Sequence, residues 1–157
     1  MTKLIALLVI IIVLALITRA AINYASASRQ ATGLNKTADG ALILETCADS
    51  YKCVSSTAVN ERNKIEPFTY TRSPDTVMAI IAEHLQQKAS ATIVDANERY
   101  LHATFSTFLF GFIDDTELLL DDNNVLQVRS ASRLGKSDLG TNRKRVEAIR
   151  EMLAGKI

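Results

Sequence analysis

Residues 110–145, FGFIDDTELLLDDNNVLQVRSASRLGKSDLGTNRKR, decide the fold of this chain. The cluster 121–124, DDNN, is typical of a turn, because aspartate and asparagine tolerate left-handed backbone and cap their own amides. Residues 116–120 precede the turn and residues 125–129 follow it, and both stretches are rich in apolar and β-branched side chains. The pattern predicts an antiparallel hairpin.

The register of this hairpin decides which charged side chains meet. If the turn is symmetric about its two central residues, Asp114 faces Ala131 and has Arg129 and Arg133 as diagonal neighbours on the same face. Diagonal neighbours lie about 7–8 Å apart, within reach of an arginine. Asp115 then points to the other face, and a slip of one residue would exchange the two faces.

The charges are divided between two blocks. Residues 90–128 carry seven acids and one base, whereas residues 129–157 carry eight bases and three acids. One interpretation is that the blocks neutralise each other across the hairpin. The alternative is a basic pocket for an anion, because three consecutive basic residues from Arg143 fall at a predicted helix start, where the dipole favours negative charge. The candidate anion-binding or ion-pair cluster comprises Arg129, Arg133, Arg143, Asp114, Asp115, Ser130, Ser132 and Asn142.

The chain begins with an apolar segment of membrane-spanning length. Residues 4–23 give about 30 Å of helix, which matches the hydrocarbon thickness of a bilayer. We expect residues 1–23 to form a transmembrane anchor in contact with lipid, with Arg19 snorkelling to the far interface. Lys3 favours an inside N-terminus in the inner (cytoplasmic) membrane, with the domain in the periplasm or an equivalent lumen. A cleaved signal peptide is the alternative, since residues 25–27, ASA, form an A-x-A site.

Two cysteines follow the apolar segment. Residues 24–41 are small and polar and predict a linker to an extracytoplasmic domain over residues 42–157. Cys47 and Cys53 lie close together beyond the predicted anchor, which indicates a structural disulfide worth about 2 kcal/mol in the chain-entropy model. Free thiols are the alternative, and a metal site would need two further ligands. The sequence predicts no metal and no cofactor.

Two helices and further strands complete the predicted fold. Ser73 and Pro74 are typical of a helix start, and residues 77–85 repeat apolar side chains at helical spacing. Leu139 and Leu153 belong to the apolar face of a second predicted helix. We therefore expect an α+β fold, with a meander of at least four antiparallel strands and both helices on one face. Strands are predicted at 65–70, 91–95, 100–105 and 110–120, besides 125–129.

Three stretches resemble one protein family. They are Cys47-x5-Cys53-Val-Ser-Ser; Tyr100-Leu-His-Ala with Phe110-Gly-Phe-Ile-Asp-Asp; and Arg129-Ser-Ala-Ser-Arg-x-Gly-x-Ser-Asp-x-Gly-x-Asn-Arg143. They resemble the uncharacterised bacterial and plastid proteins grouped as domain of unknown function 1499. That family usually has proline after the first cysteine and asparagine before the second, where this chain has Ala48 and Lys52. The resemblance implies a common domain, often with a membrane or export segment, and no assigned activity.

The sequence lacks the combinations of residues that usually identify an enzyme. It has no G-x-S-x-G elbow, no metal-ligand pair at helical spacing and no glycine-rich phosphate loop. His102 could contact Asp114 or Asp115 from the neighbouring strand. Residues 137–140, SDLG, predict a turn and helix cap. We predict no catalytic residue, and the low aromatic content and small net charge argue against nucleic acid.

The sequence favours two functions. The first is a membrane-anchored accessory protein, either a small subunit of an inner-membrane photosynthetic or respiratory complex, or a cell-envelope factor. The alternative is a binding module for an anionic ligand such as a lipid head group, a phosphate or a carboxylate. Arginines clamp such groups through paired hydrogen bonds. The second function predicts a concave pocket that holds Arg129, Arg133 and Arg143. A hydrolase is a less favoured third function.

Overall fold

The computed structural model describes residues 2–29, 33–48 and 50–157. These residues form three helices, an antiparallel sheet of six strands and a separately paired two-stranded hairpin. In chain order the elements are α1 (Thr2–Ala27), β1 (Leu34–Lys36), β2 (Leu42–Leu44), β3 (Cys53–Ser55), β4 (Phe68–Thr69), α2 (Pro74–Gln86), β5 (Ala91–Ala96), β6 (Tyr100–Ser106), β7 (Ile113–Leu120), β8 (Val125–Ser132) and α3 (Thr141–Leu153).

The large sheet contains the predicted meander. Strands β5, β6, β7 and β8 pair in sequence order, and β3 and β4 both pair with the outer edge of β8. Helices α2 and α3 bury their apolar residues in one core with the alternating side chains of β6, β7 and β8, such as Leu101, Leu118 and Val128. The α+β prediction, with an apolar helix before it, is confirmed.

The predicted register of the β7–β8 hairpin is wrong by one residue. Asp114 pairs with Ser132 rather than Ala131, and Asp115 takes Ala131 as its partner. The turn is asymmetric because the Asp121 carboxylate accepts two backbone amides within it, and Asn124 adopts a left-handed φ of 59°. The slip exchanges the faces, so Asp115 rather than Asp114 lies on the side of the strand arginines.

The start of α3 differs from the prediction at Leu139. This residue lies before the helix with a φ of 53°, and its side chain is 87% exposed instead of buried. The Asp138 carboxylate accepts the amides of Gly140 and Asn142 at 2.9 Å, which is the turn and cap that the sequence predicts. A leucine with positive φ is uncommon, and helical spacing alone does not reveal it.

The N-terminal segment covers the sheet face opposite α2 and α3. Leu34 and Leu44 of the small hairpin pack against Tyr100 and Leu119. The predicted linker, residues 24–41, thus includes the end of α1 and all of β1. Helix α1 has the length and composition of a membrane span, and a signal sequence shares both properties. The predicted domain boundaries stay predictions.

Candidate functional site

Five charged or titratable side chains meet on the sheet face opposite the helices. They are His102 on β6, Asp115 and Glu117 on β7, Arg129 on β8 and Arg133 directly after β8, and we call them the buried charge network. Each side chain is at most 9% exposed. Buried charges are stable only when they are paired and hydrogen-bonded. The contacts of each carboxylate therefore decide what this face can do.

Asp115 is the centre of one half of the network. The guanidinium of Arg133 donates from Nε and Nη2 to its two oxygens at 2.8 Å each, and His102 Nε2 lies 2.8 Å from Oδ1. Burial would raise the pKa of Asp115, but the hydrogen bonds with Arg133 and His102 outweigh it and hold that pKa below its usual value. The Asp115 hydrogen bonds also raise the pKa of Arg133. A carboxylate paired in this way stays ionised across the physiological range.

Arg133 extends this half to the N-terminal helix. Its Nη1 donates to the backbone oxygens of Ser26 at 3.3 Å and Ala27 at 3.5 Å. These carbonyls belong to the last turn of α1, where the helix dipole favours a cation. The sheet and the apolar helix are thereby joined through one guanidinium.

Glu117 is the centre of the other half. Its carboxylate accepts the Gly33 amide at 2.8 and 2.9 Å, the Tyr100 hydroxyl at 2.7 Å and Arg129 Nη1 at 2.9 Å. A Cβ on Gly33 would lie 2.7 Å from Arg129 Cδ, so a larger residue there would force the Arg129 or Glu117 side chain to shift. Burial and the Glu117 hydrogen bond raise the pKa of Tyr100. The sequence prediction omitted Glu117, because the assumed register paired Arg129 elsewhere.

A second polar cluster fixes α3 to the helix-side face of the sheet. Arg145 donates to Asp114 at 2.6 Å and to Ser130 Oγ at 3.1 Å, and Ser130 donates to Asn142 Oδ1 at 2.7 Å. Asn142 Nδ2 also donates to Ser132 Oγ at 3.0 Å. These contacts are all between protein groups, and they place Asp114, Ser130, Ser132 and Asn142 apart from the buried charge network.

Arg143 lies outside both clusters. Its Nη2 donates to the backbone oxygens of Arg62 at 2.9 Å and Lys64 at 2.7 Å. The α3 arginine that meets a β7 carboxylate is Arg145. Arg143 and Arg145 belong to the same basic run. The register of the β7–β8 hairpin decides which face Asp114 lies on, and so which arginine contacts it. The correct register would have identified Arg145, because it puts Asp114 on the helix side.

A cavity of about 320 Å³ opens beside the buried charge network. Arg29, Lys52, Arg129 and Arg133 supply its basic side chains, and Glu45 supplies an acid. Its remaining lining residues are Thr46, Cys47, Ala48, Ser50, Cys53, Ala131 and Ser132. We call it the basic cavity. It contains Arg129 and Arg133, two of the three arginines of the predicted pocket, and Arg143 lies elsewhere. The predicted anion site stays a prediction.

The wall of the basic cavity includes a disulfide. Cys47 and Cys53 are bonded with their Cα atoms 5.7 Å apart, and both are buried against Ala58 and Ala131. The predicted disulfide is confirmed. Lys52 precedes the second cysteine, and its ammonium donates to the Arg133 carbonyl at 3.3 Å. The crosslink therefore holds a basic side chain at the rim of the cavity.

The strand arginines are committed to internal partners. Arg133 carries a bidentate contact to Asp115, and Arg129 contacts Glu117 at 2.9 Å and Glu45 at 3.9 Å. Their positive charge is largely offset by these carboxylates. Any additional positive potential in the basic cavity must come from Arg29 and Lys52.

The comparison with protein families agrees with the resemblance predicted from the sequence. Residues 43–153 match the sequence model of a family described as Protein of unknown function (DUF1499). The chain belongs to the DUF1499 family. The matched residues include the disulfide, the buried charge network and all of the basic cavity except Arg29. No curated protein and no solved structure matches the chain.

The DUF1499 domain also bears on the enzyme and metal predictions. Within residues 2–29, 33–48 and 50–157, no group of three or more metal-type ligands occurs. The predicted histidine–aspartate contact is present between His102 and Asp115, at 2.8 Å. Arg133 makes a bidentate contact with the same Asp115 carboxylate. The His102–Asp115 contact is therefore part of a buried ion-pair network of the kind that structural sites contain.

Proposed function

We propose that this protein is a membrane-anchored binding module that holds an anionic group in the basic cavity. The observation that carries the proposal is the lining itself, in which Arg29 and Lys52 add basic charge beside the paired Arg129 and Arg133, and Glu45 is the one acid among the described lining residues. Arginine and lysine are the side chains that recognise phosphate and carboxylate groups. Ligand chemistry common to a free phosphate and to a lipid head group fits this lining.

The proposed location follows from the helix and the disulfide. Helix α1 would cross the inner membrane with its N-terminus inside, and the domain would lie in the periplasm or an equivalent lumen. The Cys47–Cys53 disulfide supports this location, because disulfides persist in oxidising compartments. Arg29 lies two residues after α1, so the basic cavity would open close to the membrane surface.

The two arginines of the buried charge network are poor choices for a test of binding. Replacing Arg133 would leave Asp115 buried without its main partner, and the domain would lose stability whether or not a ligand exists. Lys52 is half-buried at the cavity rim and is the better choice. Arg143→Gln serves as the matched control, since it removes one charge from the same domain outside the cavity.

The experiment measures the thermal unfolding of the full chain in detergent with inorganic phosphate, acetate or short-chain phosphatidylglycerol. We expect at least one anion to raise the melting temperature of the wild type and of Arg143→Gln by several degrees near saturation. Lys52→Gln should reduce that shift. If only phosphatidylglycerol raises the melting temperature, the site binds a lipid head group. If only phosphate raises it, the site binds a free anion. If no anion raises the melting temperature, the ion pairs are structural and the proposal is wrong.

An accessory subunit is the second candidate function. The apolar side chains of α1, such as Leu4, Ile10 and Ile17, are 55–62% exposed and therefore available to a partner. Another transmembrane helix could cover them, although lipid would cover them equally well. Purification from native membranes in mild detergent tests this function. A partner present in stoichiometric amount would support it, and recovery of the protein alone would contradict it.

A further inference from the structure

The loop between β6 and β7 exposes an apolar tip. It comprises residues 107–112, TFLFGF, and we call it the apolar loop. Phe108 is 93% exposed, Leu109 is 67% exposed and Phe110 is 51% exposed. Three neighbouring large apolar side chains in water are unfavourable, and such a tip usually marks a surface that meets a membrane or a protein.

The apolar loop is held directly against α1. Arg19 Nη1 donates to the backbone oxygens of Thr107, at 3.4 Å, and Phe108. Asn23 Nδ2 donates to the Gly111 carbonyl at 3.2 Å. Gly111 has a φ of +70°, and a Cβ there would lie 3.3 Å from Asn23 Cβ. The loop thus approaches the helix at a distance that suits glycine.

These contacts set the depth of the loop relative to the helix. Arg19 follows Leu4 by 15 residues, which is about 22 Å of rise along α1. The hydrocarbon core of a bilayer is about 30 Å thick. When α1 spans the membrane from Leu4, the Arg19 contacts lie about 8 Å short of the far boundary of the hydrocarbon core. The loop beside Arg19 then lies in the outer part of the core, below the head groups.

At the base of the apolar loop, the backbone amides of Thr107, Gly111 and Phe112 are hydrogen-bonded. The Thr107 amide donates to the Phe112 carbonyl at 2.9 Å, and the Gly111 amide donates to the Thr107 carbonyl at 2.9 Å. The Phe112 amide donates to Thr107 Oγ1 at 2.9 Å. Satisfied backbone groups lower the cost of moving a loop towards lipid. The Thr107 and Phe108 carbonyls accept hydrogen bonds from Arg19, which offsets part of the desolvation cost of placing its charge at that depth.

We infer that the apolar loop inserts Phe108, Leu109 and Phe110 into the bilayer interface beside the point where α1 leaves it. This inference rests on the proposed membrane anchoring of α1. The occupant is lipid because the loop lies against α1 at Arg19 and Asn23, and lipid surrounds a spanning helix at this depth. The domain is then attached to the membrane at two points, the helix and the loop.

Tryptophan fluorescence tests the inference, because the chain contains no tryptophan. Single substitutions Phe108→Trp, Leu14→Trp and Val59→Trp are made in the full chain and reconstituted into vesicles with spin-labelled lipids. Leu14 reports on α1, and Val59 is a control on another loop with 89% exposure. We expect blue-shifted emission and lipid quenching for Phe108→Trp and Leu14→Trp, strongest for Phe108→Trp with labels near the head group. Val59→Trp should emit as in water.

The outcomes separate the loop from the anchor. Quenching of Leu14→Trp with water-like emission from Phe108→Trp would overturn the inference and leave the anchor intact. No quenching of Leu14→Trp would overturn both. Blue-shifted but unquenched emission from Phe108→Trp would mean that protein covers the loop, which overturns the lipid assignment. Phe110→Trp repeats the measurement at a second position, and Gly111→Ala in the Phe108→Trp chain should reduce quenching by displacing the loop.

Discussion

Removal of the negative charge of Glu117 should destabilise the domain strongly. Glu117 accepts hydrogen bonds from Gly33, Tyr100 and Arg129 at zero exposure. Glu117→Gln leaves the Arg129 guanidinium buried beside a neutral amide. We expect the free energy of unfolding to fall by about 3 kcal/mol, the scale of a broken buried ion pair. Urea unfolding of the detergent-solubilised full chain measures the change.

A surface ion pair provides the control for Glu117. Asp122 contacts Arg99 at 2.6 Å, but its side chain is 89% exposed. Water and salt screen such a pair, so Asp122→Asn should change the free energy of unfolding by less than about 1 kcal/mol. Equal losses in Asp122→Asn and Glu117→Gln would mean that burial of the network does not govern its contribution.

Asp115 should give the domain a specific dependence on pH. Its pKa in the folded state lies below the usual value, because Arg133 and His102 outweigh the effect of burial. A lowered pKa adds stability above the unfolded pKa of about 3.9, and that stability is lost as the pH falls through the folded value. The urea midpoint should therefore decline below about pH 4. Asp115→Asn should be less stable than the wild type at pH 7, and its urea midpoint should fall less steeply below pH 4. An equally steep fall below pH 4 in Asp115→Asn would contradict this account.

At the scale of elements, local sequence patterns were sufficient to place most strands and helices. The Ser73-Pro74 start of α2, the DDNN turn and the alternating residues of β6 each act through near neighbours, and each lies where the sequence predicted. The faces of β7 and β8 could not be predicted, because one extra residue in the turn moves every side chain to the other side. Arg145 and Glu117 were missed for that reason, and the basic cavity depends on contacts with α1 and β2 that no local pattern encodes.

The left-handed residue before α3 offers a test by stabilisation. Leu139 has a φ of 53°, which strains its backbone, and its side chain is 87% exposed. Its replacement therefore removes strain and very little packing. Leu139→Gly should raise the free energy of unfolding by about 0.5–1 kcal/mol, since glycine adopts this conformation without the Cβ clash. Lys136→Gly is the control on the same loop and should lower it. Thermal unfolding compares the two, and a similar loss in both would refute the strain.

At the scale of the whole molecule, the orientation of the domain relative to α1 is either fixed or variable. Small polar residues between helix and domain predicted a tether, and tethers of that composition are flexible. The contacts between α1, Gly33 and the domain predict a fixed junction instead. Arg133 reaches the carbonyls of Ser26 and Ala27, Glu117 holds Gly33, and Arg19 holds the apolar loop. Such a junction would fix the orientation of the basic cavity relative to the membrane.

Spin labels at Tyr24→Cys on α1 and Lys136→Cys on the domain measure this junction. Both positions are exposed, and the disulfide occupies the two native cysteines. A narrow distance distribution is expected for the otherwise unchanged full chain in detergent or vesicles. Arg19→Gln removes the hydrogen bonds from α1 to the Thr107 and Phe108 carbonyls, so the distribution should broaden. Arg143→Gln removes a charge away from the junction and should leave it narrow. A broad distribution before any arginine is replaced would mean that α1 and the sheet move independently.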